Sequence, residues 1–148
     1  MKYILSVDPG KRNGVCIVED RLGGQIVLNE IMHIDAMIAF LNSDWEPEGF
    51  KTLSVIVVED YIINGSKNNG SRGEAIQVIG ILRALAARLS IPFVRQPPEK
   101  RLLAAKWAGE TVRKGHMPDD QSARLHAIFY LRQHGKFTTV LERQRGVR

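Results

Sequence analysis

Five acidic residues stand at places where a folded chain can gather them. Asp8 ends an apolar run (Tyr3, Ile4, Leu5, Val7) and is followed by Pro9-Gly10. Glu59 and Asp60 end a second apolar run, Leu53 to Val58, and Asp119 and Asp120 open the last strongly helical segment. Singly, each has an ordinary structural use: an Asp before Pro-Gly forms turns, a strand-end Glu is a solvated acid, and an Asp at a helix start is an N-cap. Together, acids at the ends of two strands and at a helix start can converge, and converging carboxylates hold hard metal ions. Strand side chains alternate between faces, so Asp60 points away from the face that Glu59 uses.

The elements that must position these acids follow from periodicity and turn residues. Strands are expected at residues 2–8 and 14–19, joined by the Pro-Gly turn, and Arg21 to Gly24 turn the chain into a third, Gln25 to Met32. Links this short make an antiparallel meander. A short helix is expected near Asp35 to Leu41, then a loop from Trp45 to Gly49. Leu53 to Val58 is apolar throughout, which suits a strand covered on both faces. Asn64 to Gly73 reads as a polar, glycine-rich, basic loop. Glu74 to Leu89 reads as a helix with an apolar stripe of Ile76, Ile79, Leu82, Leu85, Ala86 and Leu89. A fifth strand is expected at Ile91 to Val94, a helix from Pro97-Pro98 to about Ala108, and a closing helix from Pro118 to about His134. A meander followed by crossovers predicts an α/β fold, a mixed five-stranded sheet flanked by helices, in one domain over residues 1–148.

Composition fits that picture. The 148 residues are 44% hydrophobic and 25% charged, with a formal net charge of +5. Residues 95–116 hold Arg95, Lys100, Arg101, Lys106, Arg113, Lys114 and His116 against Glu99 and Glu110, and the tail adds Lys136, Arg143, Arg145 and Arg148. Such a cluster beside an acidic site points to nucleic-acid contact. The single cysteine, Cys16, excludes an intrachain disulfide and a thiolate zinc cluster, and its place in an apolar strand predicts a buried thiol. With no signal peptide and no apolar run near the ~18 residues of a membrane span, a soluble intracellular protein is expected, with no membrane partner.

In this order the motifs resemble the RuvC-type Holliday junction resolvases of the ribonuclease H-like superfamily, most closely the short versions carried by bacteria and phages. ILSVDPGKRNGVCIVE resembles the first-strand motif, and VIVVEDYI resembles the fourth strand, whose Glu is a metal ligand in that family. GSRGEAIQVIGILRALAARLSIPFVRQPPEKRLLAA resembles the long helix, fifth strand and basic helix, and PDDQSARLHAIFYL the closing helix with the last acids. An ATPase of the actin and sugar-kinase type shares the strand-end Asp but needs two duplicated halves, and this chain has length for one. One departure stands out. The family presents two acids, or an acid and a His, three positions apart on the last helix, whereas here Asp119 is followed at that spacing by Ser122. Either Asp120 is the fourth ligand at a slightly unwound helix start, or Ser122 holds a water and the site has three acids.

The resemblance implies a ribonuclease H-like nuclease that resolves four-way DNA junctions by symmetric, metal-dependent phosphodiester hydrolysis. It implies two Mg²⁺ ions, with Mn²⁺ able to substitute, on Asp8, Glu59, Asp119 and Asp120. Asp8 would bridge the ions, Glu59 would serve the nucleophile side and Asp119 the leaving side, these three being the catalytic acids. Nucleic-acid contacts fall to Lys11, Arg12, Tyr61, Lys67, Arg72, Lys100 and Arg101. A two-fold substrate implies a homodimer, and the resemblance implies the cytoplasm of a bacterial or phage-infected cell. The competing readings are a nuclease of the same fold acting on other branched DNA or RNA, and a non-catalytic junction-binding module.

Overall fold

The computed structural model describes residues 1–43, 52–60, 70–112 and 117–146, with side chains from residue 73 onward in the third segment. The chain runs β1 (Tyr3–Asp8), β2 (Arg12–Glu19), β3 (Ile26–His33), α1 (Ile34–Asn42), β4 (Leu53–Glu59), α2 (Gly70–Leu89), β5 (Phe93–Gln96), α3 (Glu99–Ala108), α4 (Asp119–Gln133) and α5 (Val140–Gln144). Five strands form one sheet in the order β3-β2-β1-β4-β5. β1–β2 and β2–β3 are antiparallel, while β1–β4 and β4–β5 are parallel. The mixed α/β sheet expected from the sequence is therefore present.

Strand alternation divides the sheet's side chains between two cores. On one face Leu5, Val7, Val15, Ile17, Ile56 and Val58 pack against Met37 and Leu41 of α1 and Val78, Leu82, Leu85 and Ala86 of α2. On the other, Ile4, Val18, Val55 and Val57 pack against Ala127 and Leu131 of α4. Each Val, Leu, Ile or Met among them contributes about 1.5–3 kcal/mol by leaving water. β4, buried from Val55 to Glu59, is covered on both sides, as its unbroken apolar run requires. A third cluster locks α3 to α4 through Ala104, Ala105, Leu125 and Phe129, and the ring of Trp107 stacks on Phe129 with centroids 5.5 Å apart.

Several boundaries differ from the sequence expectation. α2 begins at Gly70, not Glu74, because a glycine is tolerable in a first turn, where its N–H has no intrahelical partner in any case. On that helix Ile76 is exposed, and Ala75 and Val78 fill the core in its place. β5 lies at Phe93–Gln96 rather than Ile91–Val94. Pro92 has no N–H for the ladder; its carbonyl accepts from Ile56 N at 3.0 Å, and pairing starts one residue later. The helix α5 lies beyond the expected elements; a reciprocal capping box between Thr139 and Glu142 starts it.

One glycine sets how close α4 comes to the sheet. Gly14 pairs across from Asp8, and a Cβ placed on it would stand 1.8 Å from the carbonyl oxygen of Asp119 and 2.8 Å from the amide nitrogen of Asp120. The helix start can sit over the end of β1 only because that side chain is missing. We expect Gly14→Ala to lower unfolding free energy by about 1–3 kcal/mol, as overpacking against backbone does. An unchanged urea midpoint would contradict this close approach.

Candidate functional site

The period of two along each strand decides which acids meet. Asp8 shares a face with Ile4, and Glu59 with Val55 and Val57, the residues whose core lies beneath α4. Both carboxylates therefore emerge on the α4 side, at the adjacent ends of two parallel strands. Asp60 turns to the opposite face, as expected, and pairs there with Arg95.

Helix α3 brings a guanidinium between the two carboxylates. Arg101 Nη1 lies 2.7 Å from Glu59 Oε2 and 3.7 Å from Asp8 Oδ2, and donates to Ser122 Oγ at 3.1 Å. From α4, Ser122 Oγ donates to the same Glu59 oxygen at 3.0 Å, and His126 Nε2 stands 2.9 Å from it. The other ring nitrogen, Nδ1, lies 2.7 Å from Gln96 Oε1. Gln96 is the direct strand partner of Glu59, and both side chains are buried.

Charge in this cluster is unbalanced. Burial, and then the neighbouring Glu59, push the Asp8 carboxyl up to about 7; the nearby Ser122 hydroxyl and the charge of Arg101 pull against them, and Asp119 adds a further push. Glu59 moves the other way. Burial is the largest single influence and would raise it, but the hydrogen bond from His126, the charges of Arg101 and His126, and the Ser122 hydrogen bond together hold it below the ordinary glutamate value.

Asp119, half-buried at the first position of α4, is the last acid whose field reaches Asp8. Asp120 acts elsewhere: its charge falls on Cys16 and on Arg124, which is held bidentately by Glu110 at 2.6 Å. Burial pushes the Cys16 thiol up to about 12, so it stays protonated in the core. Asp8 and Glu59 thus end adjacent strands, Asp119 opens α4 over Gly14, the partner of Asp8, and the charge of Asp120 acts on Arg124 and Cys16.

The cationic residues separate similarly. Lys11 and Arg12 are exposed at the turn after Asp8. Lys100 places its ammonium 5.5 Å from the Phe129 ring centroid. Arg101 faces inward onto the acids rather than outward. Tyr61, Lys67 and the Arg72 side chain lie outside the described residues, as do Trp45 and the Arg113–His116 segment. Two contributors were not identified from the sequence, His126 and Gln96. A signal existed for the first: His126 follows Ser122 by four residues, the spacing that puts two side chains on one helix face.

Hard carboxylate oxygens in a partly desolvated cluster are the donor set that Mg²⁺ or Mn²⁺ takes. Among the described residues, no three His, Cys, Asp or Glu side chains are grouped tightly enough to hold an ion as they stand; Arg101 supplies the balancing charge between Asp8 and Glu59. Asp8 and Glu59, with Asp119 as the next acid, are the residues whose donor chemistry could hold a divalent cation.

No protein-family model and no curated protein matches the chain by sequence. Solved structures do match in fold. Thermus thermophilus RuvC in complex with a Holliday junction substrate superposes with a TM-score of 0.61 at 12% identity, covering 95% of this chain and 100% of that one. The yeast mitochondrial Holliday junction resolvase gives a TM-score of 0.59 at 16% identity over 91% of this chain and 80% of its own. The fowlpox virus Holliday junction resolvase gives 0.55 at 13% identity over 89% and 99%. The chain shares its fold with these RuvC and Holliday junction resolvase structures. No helix among the described residues is long and apolar enough to cross a membrane.

The raised Asp8 value carries a stability consequence. A carboxyl whose folded pKa lies above its unfolded one favours folding below the unfolded value, and that contribution is lost as pH rises through the folded value. For Asp8 the window runs from 3.8 to about 7. In chelator at pH 8, Asp8→Asn should therefore melt higher than the parent, with about 4 kcal/mol as the ceiling on the gain, and the two should converge near the lower end of the window. A variant that melts lower at pH 8 would show that Asp8 is not held against its preference.

Proposed function

We propose that this chain, which carries the fold of the RuvC-type junction resolvases, is a divalent-metal-dependent endonuclease that resolves four-way DNA junctions. The observation that carries the reading is the pair of partly buried carboxylates, Asp8 and Glu59, side by side at the ends of β1 and β4 with Asp119 close by. Three acids gathered at the cost of raising Asp8 to about 7 make little sense for stability alone. They make sense where a cation and a phosphodiester meet.

Asp8, Glu59 and Asp119 would hold Mg²⁺, which when bound activates water and neutralises charge on the attacking and leaving oxygens. The chain's own residues do the rest. Ser122 and Arg101 keep Glu59 from turning away from Asp8. Arg101, 27% exposed, reaches the site from the solvent side and can meet an incoming phosphate with a bidentate guanidinium. Lys11 and Arg12, exposed at the turn that follows Asp8, favour a phosphate backbone running past that end of the sheet. A four-way junction has two-fold symmetry, so paired symmetric cuts call for a homodimer.

A second reading rests on one specific observation: Arg101 already supplies Glu59 with a cation at 2.7 Å, and Ser122 stands where the resolvase pattern has an acid or His. A protein that binds junctions without cutting them would tolerate both.

Labelled four-way junction and matched linear duplex, each with Mg²⁺ or chelator, separate the readings. We expect symmetric nicks on the junction only, and only with metal. Tight binding with no cleavage in Mg²⁺ or Mn²⁺ would establish the binding module instead, and equal cutting of flaps or structured RNA would broaden the substrate. Asp8→Asn should reduce cleavage about 10³-fold or more while leaving junction binding in place. Of the last pair, Asp119→Asn should be the damaging change and Asp120→Asn the tolerated one; the reverse ranking would move the third acid to Asp120.

A further inference from the structure

We propose that His126, backed by Gln96, is a positioning residue that fixes Glu59 for metal binding. This rests on the nuclease reading above and assigns a role in it to residues outside the acid set.

The imidazole is fully buried and wedged between two polar side chains, with Glu59 Oε2 at 2.9 Å on one nitrogen and Gln96 Oε1 at 2.7 Å on the other. A buried ring at these two distances is held by both ends. Its orientation comes from the fold: Gln96 and Glu59 are register partners on β5 and β4, so both side chains rise from the sheet toward α4. His126 meets them one turn beyond Ser122 on that helix.

The proton inventory fixes which nitrogen donates. Glu59 Oε2 is a carboxylate oxygen, so Nε2 must carry the hydrogen. Nδ1 then either donates to the Gln96 carbonyl, or accepts from its amide once oxygen and nitrogen exchange places. The Gln96 Nε2 is buried with no partner as placed, and the exchange would give it one; amide oxygen and nitrogen are assigned by such networks. In both arrangements Nε2–H points at Glu59.

The consequence is directional. Arg101, Ser122 and His126 all donate to the same oxygen, Oε2. Arg101 reaches in from the more solvent-accessible side and is a long, flexible side chain, whereas Ser122 and His126 are fully buried on one helix face. When Arg101 turns to a phosphate or yields to a cation, His126 and Ser122 still hold Oε2, and Oε1 stays available to an ion. A histidine that fastens a ligating carboxylate from behind typically governs metal affinity by 10–100-fold.

The test measures Mn²⁺ binding to the full chain without DNA, from loss of the free-ion electron paramagnetic resonance signal. Three variants are compared: His126→Leu, which keeps bulk but no donor; His126→Gln, whose amide can place an N–H near the Nε2 position; and Gln96→Leu, which removes the group behind the ring. We expect H126L to weaken Mn²⁺ binding by about 10–100-fold, H126Q to recover it to within about threefold, and Q96L to fall between them. Junction affinity in chelator should be unchanged in all three. Parent-like binding by H126L would overturn the proposal, and so would equal weakening in H126L and H126Q, since packing alone would then explain the site. Should H126L fail to fold by circular dichroism, Q96L decides: parent-like Mn²⁺ binding there overturns it. Absence of Mn²⁺ uptake by the parent protein would remove the nuclease reading and this role with it, a result distinct from uptake that the variants leave untouched.

Discussion

Two carboxylates, Asp8 and Glu59, end adjacent parallel strands on the same face and stand largely out of water. Everything around them compensates for that placement. Glu59 is kept ionised by three donors on one oxygen, while Asp8, with less help, is pushed toward its neutral form. The asymmetry is informative. A fold selected only for stability would replace the pair by apolar side chains, as buried ionic groups commonly allow. Here the cluster is kept with its charge only partly balanced, the condition in which an added cation stabilises most.

The geometry that makes the pair possible is spread along the chain. Alternation in β1 and β4 delivers the acids to one face, register pairs Glu59 with Gln96, and the bare Gly14 lets the start of α4 descend onto the end of β1. That descent carries Asp119, Ser122 and His126 into reach of the acids from one helix. Packing of α3 on α4 through Ala104, Ala105, Leu125 and Phe129 then aims Arg101 into the same space. β1, β4, α3 and α4 supply the first contacts, and α3 reaches the acids through its packing on α4.

Much of this was legible in the residues, and the illegible part has physical causes. The antiparallel meander and the opposite faces of Glu59 and Asp60 follow from link lengths and period-two patterning, which are local. The inward turn of Arg101 is not local: within its own helix it looks like any basic residue, and only the packing of α3 against α4 separates it from Lys100. His126 reads as a core histidine until Glu59 and Gln96 are known to stand beneath it. The start of β5 is set by Pro92, which has no N–H for the ladder, and the start of α2 by Gly70, which a first helical turn tolerates. The Thr139–Glu142 capping box was readable, but it starts a helix of only five residues.

The most direct measurement is a crystal soaked in Mn²⁺ and examined by anomalous diffraction at the manganese edge. We expect an anomalous peak within bonding distance of carboxylate oxygens of both Asp8 and Glu59. Crystals that take up no manganese at that end of the sheet, with Arg101 still bound to Glu59 at saturating Mn²⁺, would contradict the claim that these acids exist to hold a cation.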